Sequence, residues 1–254
     1  MKRTEARTMG ALIAIGLGLF CGCSVLEATR PKADNTNGQS TAGVVTPFGE
    51  VARGPRGKSE IAITFDGGAN AECFEDLIAA LEAARVQSTF FITGNFAQRN
   101  TECAKAITRH GHEVGNHTWN HADLTKQSDE IVRREITRAE ILLTEISGQS
   151  PRPRFRAPFG ARDSRVLRIV ADLGYRSIYW TIDSLDSVEP RKTPEFLIDR
   201  ITSKSDAELD GAIILMHVGI KSTADALPAI IANLQGRGFR LVTVSDLVSS
   251  SRKR

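Results

Sequence analysis

The sequence has few aromatic residues, few cysteines, little net charge and no polar low-complexity tract over most of its length. Aromatic residues make up 6% of the 254 positions, and the chain contains 21 glycines, 9 prolines and 4 cysteines. These features exclude collagen, a mucin stalk and a disordered tail. With 41% hydrophobic and 25% charged residues, the chain is expected to be globular. Its length allows either two small domains or one large α/β barrel.

The chain begins with a basic segment that is followed by a short apolar one, Met9–Phe20. The apolar segment has the length of a signal-peptide core and is too short to span a bilayer comfortably, so we predict an export signal over residues 1–22. The next residues resemble a bacterial lipobox, in which Cys23 would be lipidated and would anchor the protein to a membrane. A plain secretory signal and an uncleaved membrane anchor are the alternatives.

Removal of this signal changes how the charges and the cysteines are interpreted. It would leave 30 Lys and Arg residues against 29 Asp and Glu residues, so no nucleic-acid partner is expected. Cys21 and Cys23 belong to the processing site, which leaves Cys73 and Cys103 as the only pair in the mature domain. In an oxidising compartment such a pair favours a disulfide over a metal site, and we predict a disulfide between them.

Two regions of different composition follow the signal. Residues 23–58 are rich in Thr, Asn, Gly, Ser and Pro without a hydrophobic period, which predicts a flexible tether. Residues 59–250 alternate short β-rich segments with helical patterns, which predicts parallel strands joined by right-handed crossovers. Seven such units favour a single α/β domain, a distorted and incompletely closed (β/α) barrel. The predicted strands are 61–65, 88–93, 113–115, 155–157, 176–182, 212–216 and 240–244. The predicted helices are 74–84, 103–110, 128–146, 164–173, 194–203 and 224–235.

In a parallel barrel the active site lies at the carboxyl ends of the strands, so polar residues at these ends are candidate functional residues. Five strand ends carry such residues, in this order along the chain: Asp66; His117 and His121; Arg156; Asp183 and Asp186; and His217. Each has an ordinary structural explanation when taken alone, such as a strand-ending turn, a surface loop or a packed histidine. His117 and His121 have the i, i+4 spacing that places two imidazoles on one face of a helical turn, where they can bind one divalent ion. The occurrence of all five at one end of the barrel favours a catalytic site.

The five segments resemble, in order and spacing, the five motifs of the polysaccharide deacetylase family, the NodB-homology domain of carbohydrate esterase family 4. The similarity covers roughly residues 59–248. The resemblance implies a distorted (β/α) barrel that removes N- or O-linked acetyl groups from sugar polymers. It also implies a bound divalent metal, commonly zinc, with cobalt, nickel or manganese as other options. The implied partner is an acetylated polysaccharide, and the protein is expected to be a monomer.

The resemblance further implies a role in proton transfer for four of the candidate residues. Asp66 matches the family's catalytic base, and Arg156 matches the arginine that orients this base. His217 matches the catalytic acid, and Asp183 resembles the acidic partner of that histidine. Together they would divide the work between a base that activates water and an acid that protonates the leaving amine.

The remaining candidate residues would bind the metal and the acetyl group. His117 and His121 match the two metal-binding histidines. The backbone N–H of Phe159 would stabilise the tetrahedral oxyanion. Trp180 and Leu215 would help to form the pocket for the acetyl methyl group.

Two positions depart from the family pattern. Gly67 stands where the family has an aspartate that binds the metal, and Ser187 stands where a tryptophan follows Asp186. The first change should weaken metal binding, and the second should alter the acetyl pocket. Because the base, the arginine and the acid are retained, a working deacetylase is favoured over a carbohydrate-binding relative or a structural lipoprotein. The expected location, the bacterial envelope, favours peptidoglycan as the substrate over poly-N-acetylglucosamine, chitin oligomers and acetylated xylan.

Overall fold

The computed structural model describes residues 49–68 and 70–249. The predicted signal over residues 1–22, the lipidation site Cys23 and most of the predicted tether lie outside these residues. Within the part of the chain that is described, we find no helix with the length and apolar character needed to cross a membrane.

The fold is built on one parallel sheet, as the alternation of strands and helices predicts. The strands are β1 (Glu60–Gly67), β2 (Thr89–Ile92), β3 (Glu113–Asn116), β4 (Arg154–Phe155), β5 (Arg176–Ser177), β6 (Ile182–Asp183), β7 (Ile213–His217) and β8 (Arg240–Leu241). Their order in the sheet is β5-β4-β3-β2-β1-β7-β6, and β8 pairs with the first two residues of β1. The central strand β1 is buried along its whole length, which is typical of a parallel sheet covered on both faces. The predicted distorted (β/α) barrel is confirmed.

Nine helices among the described residues surround this sheet. They are α1 (Phe74–Ala83), α2 (Gly94–Arg99), α3 (Thr101–Arg109), α4 (Asp129–Ser147), α5 (Ser164–Asp172), α6 (Pro194–Thr202), α7 (Asp206–Leu209), α8 (Lys221–Gly236) and α9 (Val244–Ser249). The six predicted helices are all present, whereas the short helices α2, α7 and α9 were not predicted. In α4, the Ser128 hydroxyl accepts from the Ile131 N–H at the start, and Gly148 ends the helix with a left-handed φ of 69°.

Residues of β1 and β7 alternate between the helix-covered side and the barrel interior. Ile61, Ile63 and Phe65 pack in the large core beneath the helices. Ala62, in contrast, packs inside the barrel with Phe91 of β2 and Ile213 of β7. Because side chains alternate along a strand, Thr64 and Asp66 follow Ala62 on the interior side, and Leu215 and His217 follow Ile213. The end of the barrel interior is therefore polar.

The segment predicted as strand 176–182 is two short strands at opposite ends of the sheet. β5 pairs with β4, whereas β6 pairs with β7. Between them the hydrogen bonds change partner, since the Tyr179 N–H donates to the Val51 carbonyl and the Thr181 N–H donates to the Ile213 carbonyl. The chain thus crosses from one end of the sheet to the other.

The last part of the predicted tether is folded, so the predicted domain boundary at residue 59 is too late. Glu50 and Val51 are each only 4% exposed. Val51 forms a bridge with Ile178, next to the end strand β5, and Arg53 forms one with Ala212, next to β7, so this segment is hydrogen-bonded to two separate parts of the sheet. The side chain of Arg162 also holds Glu50, with N–O distances of 2.5 and 2.9 Å. The amino-acid composition of this segment predicted a flexible tether, because the contacts that order it are with residues distant in the sequence.

The predicted disulfide is absent from the structure, in which Cys73 and Cys103 are both free thiols. Cys73 precedes α1 in a left-handed conformation, with φ of 54°, and Cys103 lies in the first turn of α3. Both side chains pack against apolar side chains of the large core. Both cysteines therefore contribute to the core through packing, without a covalent bond between the two sulfurs.

Candidate active site

The carboxyl ends of β1 and β7 place Asp66 and His217 next to each other. The sheet register pairs these two residues directly. They open on a pocket of about 540 Å³ at this end of the barrel. The predicted residues that line this pocket are Asp66, His117, His121, Phe159, Trp180, Asp183, Leu215 and His217. Of the predicted catalytic residues only Arg156 does not line the pocket, because it lies fully buried beneath it.

Arg156 holds Asp66 from below. Its Nη1 donates to Asp66 Oδ1 at 2.7 Å and to the Thr64 hydroxyl at 2.9 Å. Its Nε donates to the Ile178 carbonyl at 3.1 Å, and its guanidinium lies 4.1 Å from the centre of the Phe91 ring. A charge at 0% exposure needs such partners to be tolerated. The arrangement fixes the Asp66 carboxylate and directs Oδ2 towards His117, whose Nε2 is 3.5 Å away.

His117 and His121 lie in a loop after β3, so the predicted helical turn is wrong. Thr118 and His121 both have left-handed backbones, with φ of 69° and 61°. The two imidazoles nevertheless meet edge to face, with their centroids 4.9 Å apart. His117 Nδ1 lies 2.8 Å from the Arg156 carbonyl, which can only accept, so Nδ1 carries the proton and the Nε2 lone pair faces Asp66. Burial lowers the pKa of His117, and burial and the neighbouring His117 lower the pKa of His121 to about 4, so both imidazoles are neutral.

A buried glutamate that was not predicted holds this histidine loop. Glu135 of α4 accepts hydrogen bonds from the backbone N–H groups of Trp119 and Asn120, at 3.1 and 2.7 Å, and from the Asn120 side chain at 2.8 Å. The side-chain oxygen of Asn116 also accepts a hydrogen bond from the Thr118 N–H at 2.9 Å. The available sequence signal was an acidic residue beside the apolar positions of α4, but its partners are fixed only by the fold.

The acidic partner of His217 is Asp186, so the prediction of Asp183 is wrong. Asp186 is 0% exposed; its Oδ1 lies 2.7 Å from His217 Nδ1, and its Oδ2 accepts from the His217 backbone N–H at 2.8 Å. The Thr223 hydroxyl donates to the same Oδ2 at 2.6 Å. Asp183 instead accepts from the Leu185 N–H at 2.8 Å and lies on the pocket wall. The left-handed Leu185, with φ of 63°, carries the chain around so that Asp186 reaches His217.

Asp186 also decides the charge of His217. Burial alone would lower the pKa of His217, but the hydrogen bond and the negative charge of Asp186 outweigh it and raise this pKa. In the other direction, burial would raise the pKa of Asp186, and its bonds to His217 and Thr223 lower it instead. The pair therefore favours a protonated imidazole beside an ionised carboxylate, which is the state that a general acid requires.

The outer wall of the pocket is a tight turn against an aromatic pair. Phe159 has a left-handed backbone, with φ of 58°. At Gly160, with φ of 64°, an added Cβ would lie 2.7 Å from Trp180 and 2.8 Å from Tyr179. Trp180 in turn stacks on Tyr179 with a centroid distance of 4.0 Å. The glycine is required both by its φ and by this close approach.

The donor atoms present do not fit a tightly bound catalytic metal. Catalytic zinc normally has three protein ligands, and this pocket offers the two imidazoles of His117 and His121. Among the residues that the structure describes, no group of three or more His, Cys, Asp or Glu side chains is arranged to hold a metal ion. A Cβ added at Gly67 would lie 2.9 Å from Ile92 Cγ2, so the position that carries a ligand in the family is closely packed here.

Comparisons with known proteins agree with the fold. The family model for polysaccharide deacetylase matches residues 53–178. The chitooligosaccharide deacetylase of Azorhizobium caulinodans is 32% identical over 76% of this chain and 97% of its own length. The peptidoglycan-N-acetylglucosamine deacetylase of Bacillus cereus is 27% identical over 88% of this chain and 80% of its own.

Among solved structures, a similar one is BA3943 from Bacillus anthracis, described as a carbohydrate esterase family 4 pseudoenzyme. It is 27% identical, has a TM-score of 0.74 and aligns over 80% of this chain and 69% of its own. The chain therefore belongs to the polysaccharide deacetylase family, whose members hydrolyse acetyl groups of polysaccharides. The predicted enzyme class, a carbohydrate deacetylase that hydrolyses acetyl amide groups, is that of this family, and one solved relative is described as a pseudoenzyme.

The hydrogen bonds of Glu135 are predicted to stabilise the loop that carries His117 and His121. Replacing Glu135 by Ala leaves the buried N–H groups of Trp119 and Asn120 without their acceptor, and we expect a loss of about 3 kcal/mol in the free energy of unfolding. The control is Glu130→Ala, an exposed position on the same helix, for which we expect a change within about 0.5 kcal/mol. Urea denaturation measures both. Equal losses in the two variants would show that Glu135 does not hold the loop.

The second prediction concerns the pKa of His217. In Asp186→Asn, burial acts without the opposing carboxylate, so the pKa of His217 should fall. A histidine is protonated below its pKa; the wild-type imidazole should therefore stay charged above the ordinary value of about 6.5, and the variant should lose its proton at lower pH. If an activity needs the protonated form of His217, its decline with rising pH should begin at a lower pH in Asp186→Asn than in the wild type. NMR titration of the imidazole measures the shift, and a larger shift in Asp183→Asn than in Asp186→Asn would refute the assignment.

Proposed function

We propose that this protein binds an N-acetylated glycan of the bacterial envelope, with peptidoglycan as the first candidate, and hydrolyses its acetyl group. One observation carries the proposal. Asp66 and His217 lie side by side over one pocket, and each is backed by a buried group of opposite charge, Arg156 and Asp186. Two relatives are a chitooligosaccharide deacetylase and a peptidoglycan-N-acetylglucosamine deacetylase, which supports an N-acetylated glycan as the substrate. We also propose that the protein is exported and that a lipid on Cys23 anchors it to a membrane. Fractionation of cells that express the Cys23→Ser variant into membrane and soluble parts tests the anchor.

The first step of the proposed mechanism is the attack of water on the acetyl carbonyl carbon. Asp66 takes the proton of this water through Oδ2, because Oδ1 is held by Arg156 at 2.7 Å. As the new C–O bond forms, the carbonyl oxygen becomes an oxyanion. The backbone N–H of Phe159 at the pocket wall is the proposed donor to it, and a donor of this kind contributes about 3 to 4 kcal/mol to lowering the barrier.

The second step is the loss of the amine. The C–N bond breaks, and His217 transfers the proton on Nε2 to the leaving nitrogen. Asp186 holds Nδ1 at 2.7 Å and fixes the orientation of the ring throughout. The electron pair of the oxyanion re-forms the C=O bond as the amine leaves, which gives acetate and a free amino sugar, and the proton on Asp66 returns to His217 through solvent. Replacement of the acid or of the base in such a pair typically lowers turnover about 100-fold or more.

The metal that the family resemblance implies has no complete site among residues 49–68 and 70–249. His117 and His121 would be its ligands, but two imidazoles hold zinc, cobalt, nickel or manganese more weakly than three protein ligands do. In both proposed steps the protein's own side chains carry the protons.

A second candidate function is glycan binding without hydrolysis. It is favoured by Gly67, which leaves the donor set short of a carboxylate, and by the similarity to a structure described as a pseudoenzyme. In this case the pocket keeps its shape and binds the acetamido group, and no acetate is released. The two candidates differ in a single measurable product.

The test is acetate release from peptidoglycan and from chitin oligomers, with and without added Zn²⁺ or Co²⁺. We expect release by the wild type and a decrease of about 100-fold or more in Asp66→Asn and in His217→Ala, with circular dichroism unchanged. Wild-type activity in either variant would refute the role of that residue. Glycan binding by the wild type without acetate release under any condition would support the second candidate instead.

A further inference from the structure

A buried glutamate outside the pocket is joined to the pocket wall through one arginine. The side chain of Arg162 donates from Nε and Nη2 to the two carboxylate oxygens of Glu50, at 2.5 and 2.9 Å. Its Nη1 donates to the Gly160 carbonyl at 2.9 Å. Two parallel bonds to one carboxylate fix the plane of a guanidinium, so Glu50 sets the direction in which Arg162 reaches Gly160.

The position of Glu50 is itself fixed by the fold. Val51, the next residue, donates its N–H to the Ser177 carbonyl and accepts from the Tyr179 N–H, both at 2.8 Å. The Ser177 hydroxyl also donates to Glu50 Oε2 at 3.0 Å. At 4% exposure the glutamate is largely removed from water, and such a charge is tolerated only beside a partner of opposite charge, which Arg162 provides.

Arg162 also packs against the aromatic pair of the pocket wall. Its guanidinium lies 3.5 Å from the centre of the Tyr179 ring, which stacks on Trp180. Gly160 and Trp180 line the pocket, whereas Glu50 and Arg162 are not among the residues that line it. The arginine therefore contacts two parts of the pocket wall from outside, the turn through the Gly160 carbonyl and the aromatic pair through Tyr179.

The turn that Arg162 holds has a conformation that needs support. Phe159 has a left-handed backbone with φ of 58°, which a residue other than glycine rarely adopts. Such a conformation persists only where surrounding contacts impose it. The bond from Arg162 to the carbonyl of the next residue, Gly160, is one of these contacts. In the proposed mechanism the Phe159 N–H donates to the oxyanion, and a donor of this kind contributes only when it is directed correctly.

We propose that Glu50 is a positioning residue that acts through Arg162. Together they hold the turn at Phe159 and Gly160 in the geometry that directs the Phe159 N–H to the oxyanion. The catalytic consequence rests on the proposed function, whereas the control of the turn by Glu50 holds with or without hydrolysis. Glu50 lies among the residues whose composition predicts a flexible tether, so the sequence gives no signal for this role.

The first part of the experiment measures kcat and KM for acetate release by the full-length protein. A misdirected oxyanion donor weakens binding of the transition state alone, so we expect Glu50→Gln to lower kcat about tenfold and to leave KM within about twofold. Arg162→Lys keeps a positive charge without the two-bond contact and should show the same loss. Because Glu50 acts through Arg162, the double variant should lose no more than Arg162→Lys alone.

The second part measures amide hydrogen exchange and needs no activity. The Gly160 N–H donates to the Ala157 carbonyl at 3.0 Å in the turn, and the Ala62 N–H donates to the Ala212 carbonyl at 2.9 Å in the sheet. In Glu50→Gln we expect exchange to become about tenfold faster at Gly160 and to change by a much smaller factor at Ala62. A general loss of stability would instead accelerate exchange at both amides.

The matched control is Glu140→Gln. Glu140 also accepts two bonds from one arginine, from Nε and Nη2 of Arg152 at 2.8 and 2.9 Å. That guanidinium also lies near a tyrosine ring, 5.5 Å from the centre of Tyr175. None of these three residues lines the pocket, so kcat and the exchange at Gly160 should stay at their wild-type values in this variant.

The inference is overturned if Glu50→Gln and Arg162→Lys keep wild-type kcat and wild-type exchange at Gly160. It is also overturned if their losses in kcat multiply in the double variant, or if exchange accelerates by the same factor at Gly160 and Ala62. A wild type that releases no acetate contradicts the proposed function, and exchange then decides alone. Faster exchange at Gly160 but not at Ala62 in Glu50→Gln supports the control of the turn, and unchanged exchange refutes it.

Discussion

The buried ion pair between Arg156 and Asp66 is the interaction on which the rest of the site depends. Arg156 has no access to solvent and joins three parts of the barrel. Its guanidinium donates to Asp66 and to the Thr64 hydroxyl on β1, and to the Ile178 carbonyl after β5. The backbone carbonyl of Arg156 accepts from His117. Losing either partner of such a pair leaves an uncompensated buried charge, which costs about 3 to 5 kcal/mol. The same contacts that stabilise the barrel therefore orient the proposed base and one imidazole.

His217 and Asp186 repeat this design on the next strand with the charges reversed. There the positive group faces the pocket and the buried partner is the carboxylate. The parallel register brings the two pairs together, because Asp66 and His217 are direct neighbours across β1 and β7. Both members of the proposed acid–base couple are thus held from below by a buried group of opposite charge. Among the described residues, no third side chain joins the imidazoles of His117 and His121 in an arrangement that could hold a metal ion.

Much of the fold and the location of the site could be predicted from the sequence. Short apolar β-rich segments and helical patterns located the long elements, and the polar residues that follow the predicted strands located the pocket. The errors came from contacts between distant residues. Asp183 and Asp186 are two aspartates after the same predicted strand, and the sequence does not distinguish them. In the structure, the chain turns at the left-handed Leu185, and Asp186 reaches His217. Glu135 acts through backbone N–H groups 15 and 16 positions away, and Val51 and Arg53 are ordered by bridges to Ile178 and Ala212, which lie far along the chain. Local patterns contain none of these pairings.

The most direct test of the account is a double-mutant cycle on the Arg156–Asp66 pair, read as the free energy of unfolding in urea. It uses Arg156→Met, Asp66→Ala and the double variant, and needs neither a metal nor a substrate. If the pair organises the site, each single variant leaves one buried charge without its partner and the double variant leaves none. We therefore expect a coupling energy of about 3 kcal/mol. Losses that add within about 0.5 kcal/mol would contradict the account, because the two residues would then stabilise the barrel independently.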